Sequence, residues 1–245
     1  MIEEMDAGKF RENGWIFVHN ILSIEDIKLA SQEIEYISNS LRDKSTNYSK
    51  GYSDSFVSGI DLAKKSIKLR ELIDIKIKPL SDKLNKNRPT KYVRDQFFNK
   101  KSNSRHTPLH QDAYSLPYYC ESVYTLWIPF VHVKSHPLLL LDKSHWQKKP
   151  YIRPEKDKEL KYEQYSTMNL RQGDISIHDG WLIHGTKPNV VELNQERSAW
   201  SIIFADEEEL ALKKEHIHDD KVRSIDSDFL RIVERTRNEI KNRIY

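Results

Sequence analysis

In the segment LHQDAY an imidazole, His110, stands one residue before a carboxylate, Asp112. Both groups can bind a metal, and in an extended segment side chains two apart project to one side and converge. A third ligand must then come from elsewhere in the chain. The best-placed candidate is His184 in GDISIHDGWLIHGTKPN, where an apolar strand ends at a histidine followed by glycine and a polar turn. Two imidazoles and one carboxylate make the facial triad of non-haem Fe(II) oxygenases, which leaves open positions for a bidentate co-substrate and O2. A co-substrate with a far carboxylate needs a cation, and Arg197 ahead of SAWSIIFA is placed to supply it if residues 189–196 turn between antiparallel strands. Its planar fork meets a carboxylate with two charge-assisted hydrogen bonds.

Other residues compete for a role. His178, six before His184, would share its side only if strand pairing stayed regular through Gly180, so a histidine packed behind the ligands is the favoured reading. His106, His132, His136 and His145 read as surface or structural histidines, and Trp181 as core. Tyr114, Tyr118 and Tyr119 fit a substrate mouth or a sheet edge equally well. Lys148, Lys149 and Arg153 could steer an anion, although a solvated loop explains them better. A zinc hydrolase would want a neighbouring general base and a helical ligand pair, which the sequence does not offer.

The positioning elements follow from pattern. SIEDIKLASQEIEYISNSL opens with Ser23 and Asp26 in capping-box spacing and carries Ile27, Ile34, Ile37 and Leu41 on one helical face. A glycine turn at Gly14 precedes a short strand through Trp15, Phe17 and Val18. A second helical pattern over Leu69–Leu84 meets Pro79, which is expected to end or kink it near Lys78. The polar stretch 43–59 lacks periodicity and reads as a loop or lid. From Tyr92 to Phe204 short β-branched and aromatic runs alternate with polar turns, as in a sandwich or barrel. SDFLRIVERTRNEIKNRI places Phe229, Ile232, Val233, Ile240 and Ile244 near one stripe of a closing helix. One domain over 1–245 is expected, with helices at about 23–84, a β core at about 92–205 and the closing helix at about 227–244.

Bulk composition narrows the partners. With 40 basic and 37 acidic residues the net charge of +3 is too balanced for a nucleic-acid protein, so the partner is expected to be small. The lone Cys120 and the acidic start MIEEMDAGKF favour a reducing cytoplasm. No run approaches the length of a membrane span, and the purest, PLLLL, is strand-sized.

The segments NGWIFVHNILSIED, RHTPLHQDAYSLP, TLWIPF, DKSHW and GDISIHDGWLIHGTKPN, followed by Arg197, together resemble the phytanoyl-CoA dioxygenase family of Fe(II)/2-oxoglutarate oxygenases. The resemblance implies a mainly β fold, a double-stranded β-helix (jelly-roll, cupin-like) core with flanking helices. It implies iron held by His110, Asp112 and His184, and the distal carboxylate of 2-oxoglutarate held by Arg197 with the Thr186 hydroxyl. Lys100 and Trp127 match positions lining that co-substrate, with Lys101 the neighbour that could replace Lys100. The implied chemistry uses O2 and releases succinate and CO2 while hydroxylating an unactivated C–H of a small molecule, which could be carboxylate-bearing or an acyl thioester. Related halogenases replace the carboxylate ligand with a small residue, so Asp112 favours hydroxylation; desaturation or cyclisation remain open. A non-catalytic metal- or ligand-binding jelly roll is the competing reading. One departure is local: the family's PGSH-like turn is DKSH here, without its glycine and proline.

Overall fold

The computed structural model describes residues 4–42, 57–100, 107–113, 116, 120–147, 162–186 and 196–210. The expected closing helix, most of the 43–59 loop, residues 148–161 and all but the last residue of the turn expected at 189–196 lie outside them, as do Lys101, His106, Tyr114, Tyr118 and Tyr119.

The chain runs α1 (Glu4–Asn13), β1 (Trp15–Val18), α2 (Ile24–Arg42), β2 (Val57–Ile60), α3 (Ile67–Leu72), a π turn (Ile73–Ile77), α4 (Lys78–Leu84) and β3 (Thr90–Lys100). It continues through β4 (Val123–Pro129), β5 (Leu138–Leu141), β6 (Gln164–Ser166), β7 (Ile175–Asp179), β8 (His184–Thr186) and β9 (Arg197–Asp206). The strands form a major sheet ordered β1-β7-β4-β9-β3-β2 and a minor sheet ordered β6-β5-β8, with antiparallel pairing throughout. This is the jelly-roll arrangement that the short alternating runs imply.

Alternation along the strands assigns the faces. Leu126 and Ile128 of β4, Ile175 and Ile177 of β7, and Trp200, Ile202 and Phe204 of β9 join Phe10, Ile27, Ile34, Leu69, Ile73 and Leu80 in one buried cluster. The helices therefore cover one face of the major sheet by burying apolar area. The intervening residues, among them Thr125, Trp127, Ser176, His178, Ala199 and Ser201, line the face toward the minor sheet. That inner face is where polar side chains collect.

Local chemistry sets the helix ends. Ser23 N donates to Asp26 Oδ2 at 2.8 Å and Asp26 N to Ser23 Oγ at 3.1 Å, the reciprocal capping box. Pro79 neither ends nor breaks the second helical stretch. It sits in the first turn of α4, where its missing N–H costs nothing, and the π turn before it absorbs the misfit by letting Lys78 N bond the Ile73 carbonyl.

Asp95, buried on β3, accepts from Leu62 N at 3.2 Å, Ala63 N at 3.0 Å and Trp200 Nε1 at 2.9 Å, and also from the Tyr92 hydroxyl. It ties the chain after β2 to the centre of the sheet. In the DKSH turn Lys143 takes φ 59°, the left-handed conformation that suits glycine, and its N–H donates to the Asn13 carbonyl at 2.9 Å.

Two outcomes are expected from urea unfolding. Asp95→Ala, which strands several buried donors, should lower stability by about 3 kcal/mol or more. Lys143→Gly should raise it by about 1 kcal/mol by relieving the left-handed strain; an unchanged midpoint for either variant would contradict the role given to that residue.

Candidate metal and carboxylate site

The two histidines from distant parts of the chain meet through their backbones. His110 N donates to the His184 carbonyl at 2.8 Å and His184 N to the His110 carbonyl at 2.9 Å, a single antiparallel bridge on the edge of β8. Thr186 N extends this pairing by donating to the Thr107 carbonyl at 3.0 Å. Gly185 makes the approach possible, because a Cβ there would lie 2.8 Å from the Thr107 carbonyl oxygen. Ser144 fixes the start of β8 from behind: its Oγ donates to the Leu141 carbonyl at 2.7 Å and accepts from Ile183 N at 2.8 Å. The serine of the altered turn thus keeps a positioning job despite the lost glycine.

His110 and Asp112 do not converge by strand alternation. His110 is a bridge residue, and the chain turns at Asp112, held by Ala113 N on the Gly180 carbonyl at 2.8 Å and by Gln111 Nε2 on the Trp181 carbonyl at 2.7 Å. The turn still brings the carboxylate to the imidazoles: Asp112 Oδ1 lies 3.6 Å from His110 Nε2 and Oδ2 lies 3.6 Å from His184 Nε2. Among the described residues these three form a group whose potential ligand atoms all lie within 4.8 Å of one another.

Each ring is oriented from its other nitrogen. His110 Nδ1 lies 2.9 Å from the Pro108 carbonyl and His184 Nδ1 lies 3.0 Å from the Leu182 carbonyl. A carbonyl accepts only from N–H, so Nδ1 carries a proton in each ring and Nε2, the nitrogen facing Asp112, is the atom left to ligate a metal. Burial, reinforced by the neighbouring His110 and His178, holds His184 well below the usual imidazole range and hence neutral. Burial alone would raise the Asp112 carboxyl, yet the three surrounding imidazoles outweigh it and hold it well below the ordinary carboxylate value. Two imidazole nitrogens and a carboxylate oxygen are a donor set that suits a divalent first-row metal.

Two residues along β8 from His184, the Thr186 hydroxyl accepts from Thr107 N at 2.6 Å and from Lys100 Nζ at 3.3 Å. Lys100 pairs in register with Arg197 across β3 and β9, so the two cations are neighbours. Both are almost fully buried, with exposures of 0% and 2%. Burial, helped by Arg197, pulls Lys100 down to about 7, and burial brings Arg197 to about 9. The Arg197 guanidinium carbon sits 5.0 Å from the centre of the Trp127 ring, within cation–π range. Its Nε and Nη1 find no hydrogen-bond partner among the described residues. A buried guanidinium with open donors is costly unless an anion completes it.

All seven residues singled out by sequence therefore lie in one region, with His110, Asp112 and His184 at one end and Lys100, Thr186, Trp127 and Arg197 at the other. Trp181 is core as expected, its Nε1 donating to the Cys120 carbonyl at 2.8 Å. His145 is buried with Nε2 3.2 Å from the Arg11 carbonyl, a structural histidine. Sequence reading missed Thr125, whose Oγ1 donates to Asp112 Oδ2 at 2.7 Å; the available signal was its place two residues before Trp127 on the same strand face.

The sequence matches the model of the phytanoyl-CoA dioxygenase (PhyH) family over residues 10–192. No curated protein matches it. Among solved structures, the chain is 17% identical to SnoK, a non-haem alpha-ketoglutarate-dependent carbocyclase from nogalamycin biosynthesis, with a TM-score of 0.68 over 84% of each chain. It is 18% identical to the epimerase SnoN in complex with Fe3+, alpha-ketoglutarate and nogalamycin RO, with a TM-score of 0.65 over 82% of each. It is 14% identical to EctD from S. alaskensis with 2-oxoglutarate and 5-hydroxyectoine, with a TM-score of 0.66 over 83% of this chain and 76% of that one. These likenesses establish a shared fold. The family match covers most of the sequence and spans all three residues of the facial cluster: the chain belongs to the phytanoyl-CoA dioxygenase family of iron- and 2-oxoglutarate-dependent oxygenases.

Proposed function

We propose that His110, Asp112 and His184 hold Fe(II), that Arg197 with Lys100 and Thr186 takes the distal carboxylate of 2-oxoglutarate, and that the protein hydroxylates an unactivated C–H of a small metabolite. The observation carrying this reading is the layout of β8. His184 and Thr186 lie on one side of the strand about 7 Å apart, a span that a short dicarboxylate can bridge between a metal and a buried cation. A structural metal site would close its coordination sphere and have no use for the second end.

Iron and 2-oxoglutarate bound there supply the oxidation, in which O2 is consumed, 2-oxoglutarate is split to succinate and CO2, and a substrate C–H is attacked. The chain's own residues do the placing. Arg197 and Lys100 neutralise the far carboxylate, the Trp127 ring walls that end from water, and the carbonyl-anchored imidazoles fix the metal's position. Asp112 fills the position that must be small for halogenation, which supports oxygen transfer. Ring formation or epimerisation is the second reading, favoured by the likeness to SnoK and SnoN.

A substrate with an acidic group, as a carboxylate or acyl thioester, would find a cation on the inner face of the major sheet. Arg94 of β3 shares one rung of the major sheet with Ile203, Thr125 and His178, and so lies on the same inner face.

Purified protein supplied with a turned-over substrate should form succinate only when Fe(II), 2-oxoglutarate and O2 are all present, and Asp112→Ala should form none. Arg197→Ala should weaken 2-oxoglutarate binding by about 2–5 kcal/mol in a calorimetric titration; an unchanged affinity removes Arg197 from the site. Lys100 gives a pH signature. Its value near 7 in the free protein rises when an anion arrives, so above pH 7 binding takes up a proton and affinity falls with rising pH. Titration at pH 8 in buffers of different ionisation enthalpy should show that uptake, and its absence would refute the contact.

A further inference from the structure

His178 belongs to neither end of the site. It lies on the inner face of β7, paired in register with Thr125 on one side and Trp15 on the other, and is 1% exposed. Its ring centre is 4.3 Å from that of His184, and its Nε2 is 3.4 Å from Asp112 Oδ2. Neither ring nitrogen has a hydrogen-bond partner among the described residues. His110 and His184 differ on this point, since a backbone carbonyl anchors each at Nδ1.

We propose that His178 is a positioning residue for the metal site, donating from Nε2 to Asp112 Oδ2 so that the carboxylate offers its other oxygen to the metal. The proposal rests on the triad reading above. Thr125 already donates to the same oxygen at 2.7 Å. Two donors on Oδ2 leave Oδ1, the oxygen facing His110, as the coordinating atom. One-oxygen ligation keeps the coordination sphere half open, which a co-substrate binding through two atoms and O2 both require. At 3.4 Å the contact is long, and such bonds tighten when a site is filled.

Two competing roles make different demands. A fourth metal ligand should lie with the others, yet His178 is not in the group whose ligand atoms are mutually within 4.8 Å. A packing residue has no need of nitrogens, and burying two of them unsatisfied carries a desolvation cost that a hydrocarbon side chain of similar size would avoid.

The test uses Mn(II) alone as probe, with affinity read by the electron paramagnetic resonance of the free ion and folding checked by thermal melting of the metal-free protein. His178→Leu is expected to bind Mn(II) about 10–100-fold more weakly, and His178→Gln, which keeps an N–H donor, to recover much of that loss. Wild-type affinity in His178→Leu overturns the proposal; if that variant does not fold, His178→Phe carries the same test. Spin-echo spectra of the Mn(II) protein should show two coordinated imidazoles, and three would overturn the proposal in favour of a fourth ligand. Wild-type protein that binds no Mn(II), or Asp112→Ala that binds it normally, sinks the triad reading and this proposal with it. Failure confined to the His178 variants sinks the proposal alone.

Discussion

The reciprocal pair of backbone hydrogen bonds between His110 and His184 is the constraint on which the site depends. Side chains far apart in sequence meet reproducibly only when their backbones are already in register, and two backbone hydrogen bonds fix that register without drawing on the imidazoles. The rings remain available for other work. Ser144 behind β8 and Gly185 within it serve the same pairing, one by filling donor and acceptor needs, the other by having no side chain in the way.

Charge is divided along β8. At the His184 end one ionised carboxylate sits among imidazoles, and at the Thr186 end two buried cations sit side by side. Neither grouping is balanced by itself: the first gathers potential ligand atoms around one anionic carboxylate, the second has guanidinium donors directed at nothing described. Their imbalances have opposite sign and a fixed spacing, which is what a ligand that is acidic at one end and chelating at the other would satisfy.

Much of this was legible in the sequence because the relevant signals are local. The capping box at Ser23 and Asp26, the glycine turn before Trp15 and the alternation of ISIHDG and AWSIIFA each depend on neighbours a few residues away. The meeting of His110, Asp112 and His184 was legible because residue type and order carry the chemistry they could do. What escaped depends on contacts across the fold. Pro79 reads as a stop or a kink near Lys78, since sequence does not reveal that the preceding turn can widen to a π turn and let the helix resume there. His110 and Asp112 read as strand neighbours, while the turn joining them is held by Gly180 and Trp181 from another segment. His178 reads as a histidine packed behind the ligands, but its delivery from the opposite sheet to His184 follows from the chain's turn at Asp179–Leu182, which the sequence does not show.

That last feature has a mechanical side. The carboxylate of Asp112 is gripped from the major sheet by Thr125, while the two imidazoles belong to the edge of the minor sheet. An ion shared among them, as proposed, would work as a rivet through both layers. Among the described residues the helices pack chiefly on the major sheet, so the three short strands opposite would have the most to gain from such a rivet. Occupancy and cohesion then become one equilibrium, in which each tenfold excess of free ion over its dissociation constant tightens the fold by about 1.4 kcal/mol. Scarcity of the ion would be felt first as slack between the layers.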